Sequence, residues 1–523
     1  MCSPPLDFIN GGREPISQAD LNGSSMAAFS ASTIWQRFWE WRQVEGLMRR
    51  GSVVLLFGLV VVYHLAELMR VPPSPSGESP AAVLTTDHQA APVVESVATA
   101  ERLRVPAGHS LVVSSLDESA SGHLIDIRVV NARVDTIRLR PERTIQSEGC
   151  YPRMSDPPKE LLAAVVADGD GSARRFCVPL FSNALSADRF LIGQRLAMSN
   201  RVQVYAEESL YAELTLRQTL IQQSRRLCFL AETESLDRVA QLVGPVADPD
   251  ADERLTILIC SLTETQPTLM SRRDEGRSLN RQQSTAPPIH GCVRETDFSG
   301  QPDPFTGDIV YLNLSVLGEI DHRAILSHEI THAALFSAIL QSGSLSGIPG
   351  WLNEAIAHVV EQNVSCFSPN LADRMHVFQM DTARVPLIMD SSQVSLTTRR
   401  GPSRAAGCLF ISWLLRNHPS VTPVNLATTA GDGVRRIESL TGCRFARLFA
   451  EWSAELAARN QVRKRVLHSG RHHLMGTAFV AFQPLPHDCE VELRSDARAL
   501  LKVAVVPATS IRLTERPQRT SQN

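Results

Sequence analysis

One stretch restricts the fold of this chain more than any other: His328-Glu329-Ile330-Thr331-His332, followed 22 positions later by Glu354 within Pro349-Gly350-Trp351-Leu352-Asn353-Glu354-Ala355. Ile325, Leu326, Ile330, Ala333, Ala334 and Phe336 recur around it at helical spacing, which predicts a substantially buried helix over about residues 321–340. Residues four apart share one helix face, so His328 and His332 stand about a turn from each other and can grip one ion. Glu329 sits beside that face without being on it, where a general base for a metal-activated water must stand. Two imidazoles and a carboxylate in an apolar helix need a metal or a hydrogen-bond network, because leaving them bare costs several kcal/mol.

Glu354 has its own predicted helix, opened by Pro349 and carrying Trp351, Leu352, Ile356, Val359 and Val360 as its apolar stripe. Between the two helices, residues 341–348 are rich in glycine and serine, so the chain can reverse and pack the helices as an antiparallel pair. That arrangement carries Glu354 toward the histidines. A serine hydrolase is not indicated, for Gly343-Ser344-Leu345-Ser346-Gly347 puts leucine where a nucleophile elbow needs serine.

With these residues in hand, the chain resembles the gluzincin metallopeptidases, and within them the bacterial peptidase MA-like domains marked by HExxH and a W-L-N-E-[GA]-[LI]-A segment. The resemblance implies a zinc-dependent peptidase with one Zn2+ held by His328, His332 and Glu354, with Glu329 as the base that activates water, and with a peptide or protein substrate. It implies an α+β, zincin-like fold: an opening strand at 254–262, an edge strand at 308–314 that pairs with extended substrate, and closing helices at 407–417 and 441–456. Many gluzincins place an acidic residue four positions after the third ligand to hold a zinc histidine in its tautomer. Here that position is His358, with Glu361 one turn further, so His358 and Asn353 are candidates for orienting the ligands. The family often uses a downstream tyrosine or histidine for the oxyanion; no tyrosine follows Tyr311, which leaves His376, His418, His468, His472, His473 and His487. A competing reading keeps the zincin fold as a catalytically inactive module that binds extended peptides or surface partners.

The second strong feature is a dense apolar run after Met48-Arg49-Arg50, read as a transmembrane signal anchor over residues 51–68. Arg37, Arg42, Arg49 and Arg50 precede it and only Arg70 follows closely, which predicts a cytoplasmic N-terminus and an extracytoplasmic peptidase domain. If translation starts at Met48, the same run has the form of a signal peptide and the protein is secreted. Three tryptophans within residues 35–41 suit the inner membrane boundary. Nine cysteines lie beyond the anchor: Cys150, Cys177, Cys228, Cys260, Cys292, Cys366, Cys408, Cys443 and Cys489. No C-x-x-C pair occurs among them, so a zinc ribbon is not expected, while some disulfides are compatible with the compartment.

A formal charge of -3 with 43% hydrophobic and 20% charged residues fits large globular cores and lacks the basic footprint of nucleic-acid binding. The expected organisation is a cytoplasmic tail (1–50), the anchor (51–68), a flexible linker (69–100), a mixed α/β accessory region (101–246), the peptidase domain (247–465) and a β-rich C-terminal appendage (466–523). Within the accessory region, Asp168-Gly169-Asp170-Gly171-Ser172 begins like a calcium loop, but Pro179 occupies the closing glutamate position, so a hairpin turn is expected there.

Overall fold

The computed structural model describes residues 93–97, 100–117, 122–130, 159–181, 186–263, 289–298, 305, 307–317, 322–344, 346–365, 368–389, 400–495 and 501–507. The segments read as a cytoplasmic tail (1–50, with its aromatic stretch at 35–41) and as a membrane anchor (51–68) lie outside these residues. Among the described residues no helix is long and apolar enough to cross a membrane. None of the described cysteines is in a disulfide.

Strands β1 (Val93–Val97), β2 (Ala100–Val105), β3 (His109–Ser115) and β4 (Gly122–Val130) come first. Next are β5 (Ala167–Asp168), β6 (Ala173–Phe181), β7 (Ser186–Met198), β8 (Val202–Glu207), helix α1 (Leu214–Leu230), β9 (Leu255–Cys260), β10 (Gly291–Cys292) and β11 (Ile309–Asn313). Helices α2 (His322–Ser342), α3 (Gly350–Val364), α4 (Pro369–Met380), α5 (Arg400–Asn417) and α6 (Phe445–Ala458) follow. Strands β12 (Gly470–Met475), β13 (Phe479–Ala481), β14 (Cys489–Ser495) and β15 (Leu501–Pro507) close the described chain.

The central sheet runs β10-β11-β9-β8-β7-β5, with β6 also on β7. Its middle strands β8, β9 and β11 are parallel to one another, while β7 and β10 flank them antiparallel, and every residue of the three is buried. Strands buried along their whole length, as these are, have cover on both faces. Ile257, Ile259, Val310 and Leu312 share a core with Leu326, Ile330 and Ala333 of α2. On the opposite face Leu258, Cys260, Ile309 and Tyr311 pack with Phe176, Val178 and Tyr205.

Several expectations change here. The central sheet crosses the boundary expected at residue 246, because β5 to β8 join the same sheet as β9 to β11. The N-terminal half of the accessory region and the C-terminal strands instead build two four-stranded sheets together, β1-β15-β3-β13 and β12-β4-β14-β2. Their shared core holds Leu103, Val105, Leu111, Val113, Ile125, Ile127, Val491, Leu493 and Val503. Val93–Val97, expected in the flexible linker, pairs with β15, where β-branched valines suit a pleated surface. Residues 169–172 are not a hairpin turn: β5 and β6 both pair with β7, at Met198–Ala197 and from Gln194 onward, so the segment interrupts one strand line.

The strand expected at the sheet edge, β11, is flanked on both sides, by β9 and by the two-residue β10. Among the described residues the edge position therefore belongs to Gly291 and Cys292. The last closing helix begins at Phe445 rather than Thr441, since Gly442 adopts φ 68° and ends the preceding helix, Gly433–Thr441. Helices α2, α3 and α5 otherwise fall on the segments predicted to be helical.

Candidate metal centre

α2 and α3 carry the site. His332 on α2 meets Asn353 near the start of α3, while His328, one turn earlier, meets Glu361 two turns later. The helices thus run antiparallel, as the glycine- and serine-rich connection allows. Leu352, Ile356 and Val360 bury the inner stripe of α3 against the same core as Ile330 and Ala333, which fixes the relative rotation of the pair.

The hydrogen bonds set the imidazole tautomers. Glu361 Oε2 accepts from His328 Nδ1 at 3.1 Å, and Asn353 Oδ1 accepts from His332 Nδ1 at 2.8 Å. Each Nδ1 therefore keeps its proton and each Nε2 presents a lone pair. The two Nε2 atoms lie 3.2 Å apart, and Glu354 Oε2 lies 3.4 Å from that of His328. A tetrahedral zinc with bonds of about 2.0–2.1 Å has edges of about 3.3–3.4 Å. The side chains fit that ion: both edges that meet at His328 Nε2 have its spacing, all three acceptors lie within 4.8 Å of one another, and their outward atoms are tied back.

Without a metal, a proton must separate these lone pairs. Burial opposes charge on His328, yet Glu354 and Glu361 hold its pKa up to about 10. Burial and the neighbouring His328 push His332 down to about 4. Glu354 is held well below the carboxylate range against its burial, by Arg404 first and then by His328.

The surrounding shell contains residues that the sequence reading missed. Arg404 on α5 bonds Glu354 Oε1 at 2.9 Å, which turns Oε2 toward the histidines. His358, at the position where an acidic partner was expected, does not hold a ligand itself. Its Nδ1 donates to Glu361 Oε2 at 2.7 Å while its Nε2 faces Arg374 at 3.2 Å. The acidic role falls to Glu361, one turn later. His328, His358 and Glu361 also cluster closely enough to bind an ion, but that carboxylate oxygen already accepts two imidazole protons and so positions rather than ligates.

Glu329 is buried, and its Oε2 has no hydrogen-bond partner. Burial, reinforced by Glu354, pushes its pKa up to about 7 against the effect of His328. The edge strand β10 lies directly against it: a Cβ on Gly291 would stand 2.9 Å from both Cγ and Oε1 of Glu329. Gly291→Ala is expected to displace this carboxylate while leaving the histidines in place. A misplacement of 1 Å costs up to about 10²-fold in rate, so for the hydrolysis proposed below kcat/KM should fall by at least about tenfold, with the metal-binding side chains untouched. Steady-state kinetics beside metal analysis checks this, and an unaltered kcat/KM would count against Glu329 acting from this position.

The structure thus brings together His328, Glu329, His332, Asn353, Glu354 and His358. It puts the expected oxyanion candidates elsewhere or leaves them exposed. His418 meets Trp413 edge to face beyond the end of α5, His468 packs against His472, and His472 and His473 both lie on β12. His376 and His487 are exposed. Tyr311 is buried with its hydroxyl donating to Asp297. A scan against protein-family models finds no match, and no curated protein matches the chain.

Proposed function

We propose that this chain is a zinc-dependent metallopeptidase, in which His328, His332 and Glu354 hold one Zn2+ and Glu329 is the general base. The observation that supports this reading is the meeting of His328, His332 and Glu354 lone-pair atoms within 4.8 Å, two of the three edges at tetrahedral spacing, with the unsatisfied carboxylate of Glu329 on the position next to His328. When bound, zinc would polarise a scissile carbonyl and acidify a water. Glu329 would take the water's proton and deliver it to the leaving amine, a task suited to a base near pH 7. Glu361 and Asn353 would keep both imidazoles presenting Nε2 throughout.

An extended peptide fits beside β10, whose backbone forms the sheet edge next to Glu329. Arg404, already beside Glu354, would provide the positive charge for the developing oxyanion that no tyrosine supplies. The apolar run at 51–68 would anchor the protein with this domain outside the cytoplasm. The reading as an inactive peptide-binding module draws on one feature, the burial of Tyr311, the last tyrosine in the chain, against Asp297.

Two measurements on purified full-length protein test the proposal. Metal analysis is expected to find one zinc per chain, and a peptide-library digestion should show cleavage that a zinc chelator stops and added zinc restores. Zinc without cleavage favours the binding module; neither zinc nor cleavage removes both readings.

A further inference from the structure

A separate constellation sits at the other end of β11. The loop before β9 reads Asp248-Pro249-Asp250-Ala251-Asp252, and Asp308 immediately precedes β11. Each of Asp248, Asp250, Asp252 and Asp308 turns a carboxylate oxygen to within 4.8 Å of the others. β9 and β11 are parallel neighbours, and Thr256 N donates to Asp308 O at 3.0 Å, so the sheet itself brings the loop and Asp308 together.

Asp308 does not behave as an ordinary surface acid. It is 4% exposed, and its Oδ1 is buried with no hydrogen-bond partner; Asp250 Oδ1 is likewise buried and unpartnered. A buried carboxylate without a partner carries a desolvation penalty that a nearby cation removes. Arg174 meets part of this need, bonding Asp250 Oδ2 at 2.7 Å and approaching Asp252 Oδ2 at 3.8 Å. Among the described residues one guanidinium ion-pairs within this set of four carboxylates, which leaves a deficit of positive charge there. Asp252 Oδ2 also accepts from Gln203, and Asp248 accepts from the backbone of Asp252 and Glu253. These contacts hold the carboxylates in place.

We propose that Asp248, Asp250, Asp252 and Asp308 form a structural Ca2+ site, independent of the histidine site. The donor set is all oxygen and mostly charged, which suits a hard cation rather than zinc. Four protein carboxylates suit calcium, which takes about six to eight oxygen ligands in flexible geometry, whereas magnesium keeps several waters and is held through one or two carboxylates. Asp248 is exposed and leaves an entry path for the ion, while Asp308 forms the floor. The ion would clip the loop before β9 and the adjoining Arg174 of β6 onto the start of β11. Leu312, whose partner Gly291 abuts Glu329, lies four residues, or about 13 Å, further along that strand. Calcium would thereby stiffen the sheet on which the histidine helix rests.

The test uses the full-length protein with Ca2+ and Tb3+ as probes. Calorimetric titration is expected to show one Ca2+ per chain, bound at least tenfold more tightly than Mg2+, with a Ca2+-dependent rise in the unfolding midpoint. Tb3+ should bind at the same place and luminesce on tyrosine excitation, because Tyr205 hydrogen-bonds Gln203, which in turn holds Asp252. Asp308→Asn and Asp250→Asn are each expected to weaken Ca2+ at least tenfold, while His328→Ala leaves Ca2+ binding unchanged and so separates this site from the zinc reading. The proposal is overturned if the wild-type chain takes up neither Ca2+ nor Tb3+ saturably, if Mg2+ binds as tightly, or if folded Asp308→Asn and Asp250→Asn proteins bind Ca2+ as the wild type does.

Discussion

Glu329→Gln is expected to retain zinc and lose peptide hydrolysis. The amide has nearly the size and shape of the carboxylate, so it fills the space beneath Gly291 without disturbing α2. Neither ligand histidine hydrogen-bonds to Glu329; their Nδ1 atoms are held by Glu361 and Asn353, which the substitution does not touch. Metal affinity should therefore change little. A glutamine cannot accept the proton of an attacking water, and general-base catalysis contributes about 10²–10⁴-fold. That corresponds to roughly 3–5 kcal/mol of lost transition-state stabilisation, entered on kcat more than on KM. Zinc content by mass spectrometry and kcat/KM on a peptide found by library digestion report the two halves separately. A variant that still cleaves at more than about a tenth of the wild-type rate would remove Glu329 from the role of base.

Different parts of this site are legible in the sequence for different physical reasons. His328 and His332 can be read directly, because four-residue spacing in an apolar helix fixes their common face whatever surrounds it. Glu354 is readable through the flanking Trp351-Leu352-Asn353 pattern and the reversing loop. Glu361 is harder to read, since its role depends on how far α3 slides along α2; one helical turn moves the carboxylate from the expected His358 position to the observed one. Arg404 has no local signature, as an arginine on a helix ordinarily reads as solvated. Long-range strand pairing is equally silent. The alternation of Cys489–Ser495 predicts a strand, but nothing nearby reveals that its partners are Ala100–Val105 and Gly122–Val130. The aspartates before β9 alternate as ligands of a calcium loop do, yet Asp308 joins them only through a parallel pairing that spans a long connection.

Replacing Glu354 by alanine should have the larger effect on the metal itself. Four-ligand zinc sites bind with about 10–16 kcal/mol at neutral pH, so one ligand accounts for roughly 3 kcal/mol, or about two orders of magnitude in affinity. The loss here goes further, because Arg404 is anchored on Glu354 Oε1 at 2.9 Å and would be released beside two imidazoles that must stay neutral to bind zinc. A freed guanidinium repels the ion electrostatically, and this adds to the missing bond. Weakening of zinc by at least about 10²-fold is therefore expected, measured by competition with a chromogenic chelator. The comparison variant is Glu361→Gln, which keeps all three ligands but withdraws the charged acceptor from His328 and His358; altering such a partner costs about 10–100-fold in affinity. The order of affinities, wild type above Glu361→Gln above Glu354→Ala, follows from which atom faces the ion and which faces the ring behind it. If Glu361→Gln weakened zinc more than Glu354→Ala, the ligand would be Glu361, and the cation would lie between His328, His358 and that carboxylate instead.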